Sequence, residues 1–209
     1  MSKWIDITQP LNNNHAEWPG DTPFSYEVAF KKEETGSVNI GKLTMSTHMG
    51  THVDAPFHFL NDGETIEELP IDVYIGRARV IVLENIEQVT QEVLEKVDLG
   101  GVERVLFKTT AQRDLTKFPE HFVTIGGDVA PYLKAQGVRL IGVDAPSVDD
   151  ETSKSLDAHH ALQQNGIYIL ENIVLDEVEA GDYELIALPL KIVGADGSPV
   201  RAVLRPLEG

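Results

Sequence analysis

The chain contains no cysteine. Disulfides and thiolate metal sites are therefore excluded, and any tightly held metal must be bound through His, Asp and Glu. Positive charge is scarce as well: 17 Lys and Arg stand against 34 Asp and Glu, a net charge of -17. A protein that tracks a nucleic-acid backbone needs a basic face, so no nucleic-acid partner is expected, and anionic membrane surfaces are disfavoured for the same reason. No apolar run approaches the ~20 residues of a membrane span. The N-terminal Met1-Ser2-Lys3-Trp4-Ile5-Asp6-Ile7 lacks the basic and long apolar regions of a secretory signal. These absences predict a cytoplasmic protein with no membrane association. Repeats, low-complexity tracts and linkers are also missing, and 209 residues fit a single domain, 1–209. With 42% hydrophobic residues the chain can build a core.

Strand patterns dominate the first third. Trp4–Thr8 is short and β-rich, while Asn12-Asn13-Asn14 and Pro19-Gly20-Asp21 mark a loop. Phe24–Phe30 and Val38–Thr47 alternate like half-buried strands, and Val73–Leu83 is a further strand. Helices are predicted over Thr90–Val97, Gly127–Gln136 and Ser155–Gln164, each followed by glycine within a few residues. The continuous apolar runs Val102–Lys108, Val138–Val143 and Ile167–Leu170 follow these helices, a β-α-β pattern of buried strands. Near the end, Tyr183–Val193 and Pro199–Leu204 predict a hairpin around Asp196-Gly197. The stretch 111–125, with Gln112-Arg113-Asp114, reads as an exposed loop that could border a site.

What is abundant is concentrated in eleven residues, His48-Met-Gly-Thr-His52-Val-Asp54-Ala-Pro-Phe-His58. Imidazole and carboxylate are the ligands that zinc takes when thiolate is absent, and manganese or cobalt bind them too. Gly50 and Pro56 argue against a helix here. The pattern predicts a strand ending near His48, a turn at Gly50 and an extended piece from Thr51. In that piece His52 and Asp54 share a face, and His58 would join them if it stayed regular. The turn would return His48 to the side of His52. Two imidazoles and one carboxylate match the three protein ligands and open position of catalytic zinc sites. A second cluster, His159-His160 and Glu171, lies far downstream. Glu171 closes an apolar run, an unusual place for an unused charge. One of the two histidines with Glu171 could supply further ligands; the alternative is a solvated surface group.

His48-x-Gly-Thr-His52-x-Asp54-x-Pro56-x-His58 resembles the signature of the cyclase-like metal-dependent hydrolases. The likeness also takes in Trp18-Pro19-Gly20-Asp21, Gly142-Val-Asp144-Ala-Pro146-Ser147, Ile169-Leu-Glu171-Asn172 and Asp196-Gly197-Ser-Pro-Val-Arg201. Within the family the chain looks most like its bacterial formamidase branch, which acts on N-formyl-L-kynurenine; a related branch opens isatin. The resemblance implies an α/β fold of swivelling β/β/α type, with a mixed, largely antiparallel, β-barrel-like sheet and flanking helices. It implies a homodimer and two metals, usually zinc. His48, His52 and Asp54 match the first set of ligands; Asp54, His159 and Glu171 match the second. His159 is preferred to His160 because the family's ligand follows a small residue, here Ala158. His58 matches a general acid/base and Trp18 a substrate-binding aromatic. His15 and His121 match no functional position and are expected at the surface. Asp144 is left without a role.

Overall fold

The structure is a computed structural model, and it describes residues 3–109 and 114–207. Gln112 and Arg113 of the predicted border loop lie outside them. In chain order the strands are β1 (Ile5–Asp6), β2 (Ser25–Phe30), β3 (Ile40–Thr44), β4 (His52–Asp54), β5 (Ile75–Val82), β6 (Gln88–Val89), β7 (Arg104–Lys108), β8 (Thr124–Ile125), β9 (Leu140–Val143), β10 (Tyr168–Glu171), β11 (Gly181–Ile186), β12 (Gly197–Pro199) and β13 (Val203–Pro206). The helices are α1 (Lys32–Thr35), α2 (Gln91–Leu94), α3 (Val129–Ala135) and α4 (Asp157–Gln164). α2, α3 and α4 fall inside the three predicted helices, each shorter than its sequence pattern.

Nine strands form one sheet in the order β1-β13-β11-β5-β7-β9-β10-β4-β12. The central β5, β7, β9 and β10 are parallel neighbours. The pairings on both flanks are antiparallel. The expected mixed, largely antiparallel sheet is therefore present. β1 and β12 sit at its two edges, so it is an open half-barrel. The parallel centre is covered on both faces, which is why its strands read as unbroken apolar runs. Successive residues point to opposite faces. Val105, Phe107, Ile141 and Ile169 meet Leu94, Leu133 and Leu162 of the helices. Leu106, Leu140 and Leu170 join Ile7, Val53, Tyr74 and Leu185 in the other core.

Two expectations fail. β2 and β3 form where strands were predicted, but they pair in a separate ribbon, and its residues are exposed rather than half-buried. Tyr26, Val28, Phe30, Ile40 and Leu43 all face solvent. Alternation fixes which residues share a face; it does not say that anything covers that face. The predicted hairpin is also different. β11 and β13 do pair antiparallel, with Leu185 opposite Leu204. They end well short of Asp196-Gly197, however, and the chain between them contributes β12, which pairs with β4. Gly197 makes no turn here: it opens β12, and a Cβ there would sit 2.9 Å from the His48 ring, so the glycine serves close packing rather than a hairpin.

Candidate metal centre

The cluster begins with a turn. β3 ends at Thr44, earlier than expected, and residues 47–50 reverse the chain. Gly50 has φ +65°, a left-handed conformation that a side chain disfavours, and a Cβ there would sit 2.6 Å from Leu11. β4 follows at once. Its register sets His52 opposite Glu171 of β10 and Asp54 opposite Gly197 of β12. His52 and Asp54 share the face predicted for them, while Val53 points into the core.

His48, His52 and Asp54 come together, as do Asp54, His159 and Glu171; in each set the donor atoms lie within 4.8 Å of one another. Asp54 belongs to both. Its Oδ1 lies 2.9 Å from His48 Nδ1 and 3.3 Å from His52 Nε2, and its Oδ2 lies 3.4 Å from His159 Nε2. Glu171 stands between the sets, 3.2 Å from His52 Nε2 and 3.9 Å from His159 Nε2. His52, Asp54, His159 and Glu171 are all buried. His160 joins neither set; its ring meets Phe59 edge-on at 5.4 Å.

Each imidazole has its other nitrogen held. His52 Nδ1 donates to the Gly50 carbonyl at 2.8 Å. His159 Nδ1 donates to Asp149 at 2.6 Å. His48 Nε2 lies 3.1 Å from Asp196. Partners of this kind fix the ring and leave the opposite nitrogen for a metal. Asp149 has a second task, accepting the backbone N–H groups of Ala158 and His159 in the first turn of α4, donors that otherwise lack partners at a helix start.

The electrostatics suit a cation. Burial alone would lower the pKa of His52, but hydrogen bonds to Asp54 and Glu171 more than offset it and push it up to about 10. Burial likewise opposes, and Asp149 and Asp54 outweigh it, to hold His159 at about 10. His48 reaches about 9 against its burial, through Asp196 and Asp54. Glu171 is raised by burial and then by the charge of Asp54. Burial would raise Asp54 too, but His159, His48 and His52 keep it well below the usual range. The carboxylates thus draw protons onto the imidazoles, and a divalent ion would displace those protons on binding. Asp54 Oδ2 is buried and makes no hydrogen bond among the described residues, as a ligand atom would be. Three imidazoles and two carboxylates, with no thiolate, fit zinc, manganese or cobalt.

His58 departs from the expected extended course. Ala55 is extended, as its proline neighbour requires, but Pro56–His58 then form a 3-10 turn. The turn lays the His58 ring over His48, centroids 4.0 Å apart, and brings Nδ1 to 3.7 Å from Asp196. Burial moves its pKa below the ordinary value, and the charges of His48 and His159 act in the same direction against Asp54 and Asp196. His48, His52, His58, His159 and Glu171 all border a cavity of about 790 Å³. Trp18 lines it too, in edge-on contact with Phe118 at 5.1 Å, and Phe118 meets Phe122 at 6.3 Å. Asp114–Phe122 contributes to this wall, so the described part of the border loop does reach the site. His15 is buried and lines the cavity, contrary to the surface placement expected for it; His121 is exposed at the same wall. Asp144 accepts from the Thr109 amide and hydroxyl, tying the ends of β7 and β9 together.

The Cyclase family model matches residues 5–150. The chain belongs to the Cyclase family. Kynurenine formamidase of Bacillus cereus is 58% identical over 206 residues, 99% of each chain. That of Bacillus anthracis is 59% identical over the same span. Among solved structures, one of a potential metal-dependent hydrolase with cyclase activity superposes with a TM-score of 0.85 at 27% identity, covering all of both chains. Isatin hydrolase A from Labrenzia aggregata has a TM-score of 0.84 at 23% identity, covering 99% of this chain and 94% of its own, a likeness of fold alone. The family model stops before His159 and Glu171, but the full-length formamidase match spans them. No helix among the described residues of this Cyclase-family chain is long and apolar enough to cross a membrane.

Proposed function

We propose that this chain is a metal-dependent amide hydrolase that converts N-formyl-L-kynurenine to L-kynurenine and formate, a step in tryptophan degradation, in the cytoplasm. The observation that carries the reading is identity of 58% over 99% of both chains with a kynurenine formamidase. The buried cluster beside an aromatic-walled cavity supports it. Isatin hydrolysis has less support, because the isatin hydrolase likeness concerns fold only. Purified protein is expected to release formate from N-formyl-L-kynurenine and to leave isatin nearly untouched. The reverse preference would sink this substrate assignment.

His48 through Nδ1, with His52 Nε2 and Asp54, would hold one zinc. Asp54, His159 Nε2 and Glu171 would hold a second. When bound, the metals supply Lewis acidity and acidify water at neutral pH. The leaving group is an arylamine nitrogen, a poor anion that must be protonated as the C–N bond breaks. His58 is the group for that transfer: it stands exposed at the cavity wall, and an imidazole exchanges protons near neutrality. Trp18 would stand against the substrate's aryl ring, with Phe118 behind it. Trp18→Ala is expected to raise KM more than it lowers kcat, in steady-state kinetics. An unfolded variant with no kinetic signature would instead make Trp18 a packing residue.

The exposed ribbon supports a homodimer. Tyr26, Val28 and Leu43 share one face by register and are all uncovered. A two-stranded ribbon with a bare apolar face is marginal alone, and a second copy would cover it. Light scattering is expected to give twice the chain mass, falling to the chain mass in a Val28→Lys, Leu43→Lys double variant. A monomeric parent protein would dismiss the dimer.

A further inference from the structure

Asp196 is far from the histidine motif in sequence, yet it is anchored beside it from several directions. Its Oδ1 accepts the Thr47 hydroxyl at 2.7 Å. Its Oδ2 lies 3.1 Å from His48 Nε2 and 3.7 Å from His58 Nδ1. Its backbone carbonyl accepts from Ala55, the residue after β4, at 2.9 Å. The next residue is glycine, and a Cβ there would sit 2.9 Å from the His48 ring, so the chain closes tightly on that imidazole. His48 turns its Nδ1 to Asp54 and its Nε2 to Asp196. Asp196 therefore lies on the opposite side of His48 from the buried cluster, and is not placed to share a metal with Asp54.

We propose that Asp196 is a positioning residue for His58, its carboxylate facing Nδ1 at 3.7 Å and drawing that side of the ring toward it, so that Nε2 is presented to the leaving nitrogen in the cavity. This rests on the role given to His58 above. In the reaction, water adds its oxygen to the formyl carbon. The C–N bond breaks with its electron pair passing to nitrogen, and His58 carries a proton from the water to that nitrogen. Formate and the free arylamine result. A carboxylate facing one imidazole nitrogen favours the N–H on that side by its charge, and so biases both the ring's orientation and which nitrogen is free to exchange the proton. An amide in its place would keep the shape but turn a donor toward Nδ1.

The test is Asp196→Asn in the full chain, loaded with zinc. Zinc content is measured, and kinetics are taken on N-formyl-L-kynurenine and on a nitrophenyl formate ester. The phenolate leaves without a proton, so the ester bypasses His58 while using the same metals. The expected result, per bound zinc, is kcat on the amide lowered ~10–100-fold with KM little changed, and a much smaller loss on the ester. Asp196→Glu, which retains the carboxylate, is expected to recover part of the amide rate. Equal losses on amide and ester per bound zinc would overturn the proposal by confining Asp196 to its support of His48. Unchanged kinetics in an active enzyme would overturn it alone. A zinc-loaded parent protein inactive on the amide would overturn the proposed substrate and this inference together.

Discussion

Asp54→Ala is expected to empty the metal centre and to lower turnover of N-formyl-L-kynurenine by at least ~10³-fold. Loss of a catalytic metal removes several kcal/mol of transition-state stabilisation, and each ~1.4 kcal/mol is a tenfold change in rate. Asp54 is the side chain for this test because both ligand sets contain it. Its removal deprives His48, His52 and His159 of a shared acceptor at once. Chelation of the parent protein should give the same inactivity, reversed when zinc returns; Asp54→Ala should stay inactive with zinc present. Asp54→Asn, which keeps the volume, guards against a folding defect, since it should remain folded and equally inactive. Full metal content with normal turnover in either variant would remove Asp54 from the centre.

His58→Ala is expected to separate chemistry from metal binding. His58 lies outside both buried sets and meets Asp196 rather than Asp54. Metal content should therefore stay near that of the parent, while kcat falls by ~10²–10⁴-fold, the range for losing a general acid/base. Elemental analysis beside steady-state kinetics reads both quantities. Loss of metal with the His58 side chain would make it a ligand, which the set formed by His48, His58 and Asp196 leaves chemically feasible. An unchanged rate would leave the proton transfer to another group, and Asp196 would lose its proposed purpose with it.

Much of the first ligand set could be read along the chain. The turn at Gly50 and the two-residue spacing of His52 and Asp54 are consequences of local backbone geometry, and local geometry is what sequence encodes most directly. Spacing alone marks Glu171 as a charge ending an apolar run, and the family resemblance is what makes it a ligand; its place opposite His52 depends on the register of β10 against β4. Asp149 lies close to α4 in sequence, but nothing in Ser147-Val-Asp149-Asp150 tells which aspartate turns inward to His159. Asp196 was read as a turn residue, and the turn reading was wrong because the loop carrying it closes onto β4.

By itself the sequence determined that this is a cysteine-free, acidic α/β chain with a His and Asp metal motif. It also marked the apolar runs that fill the centre of the sheet. Composition and short-range spacing suffice for these, since ligand chemistry belongs to residue types and strand alternation to the backbone. Only the tertiary structure decided which distant carboxylates hold which imidazole nitrogen, that His58 leaves the strand in a tight turn, and that the β2–β3 ribbon lies bare. Those outcomes depend on strand register and loop closure between remote segments, and such pairings leave no local pattern in the residues that make them.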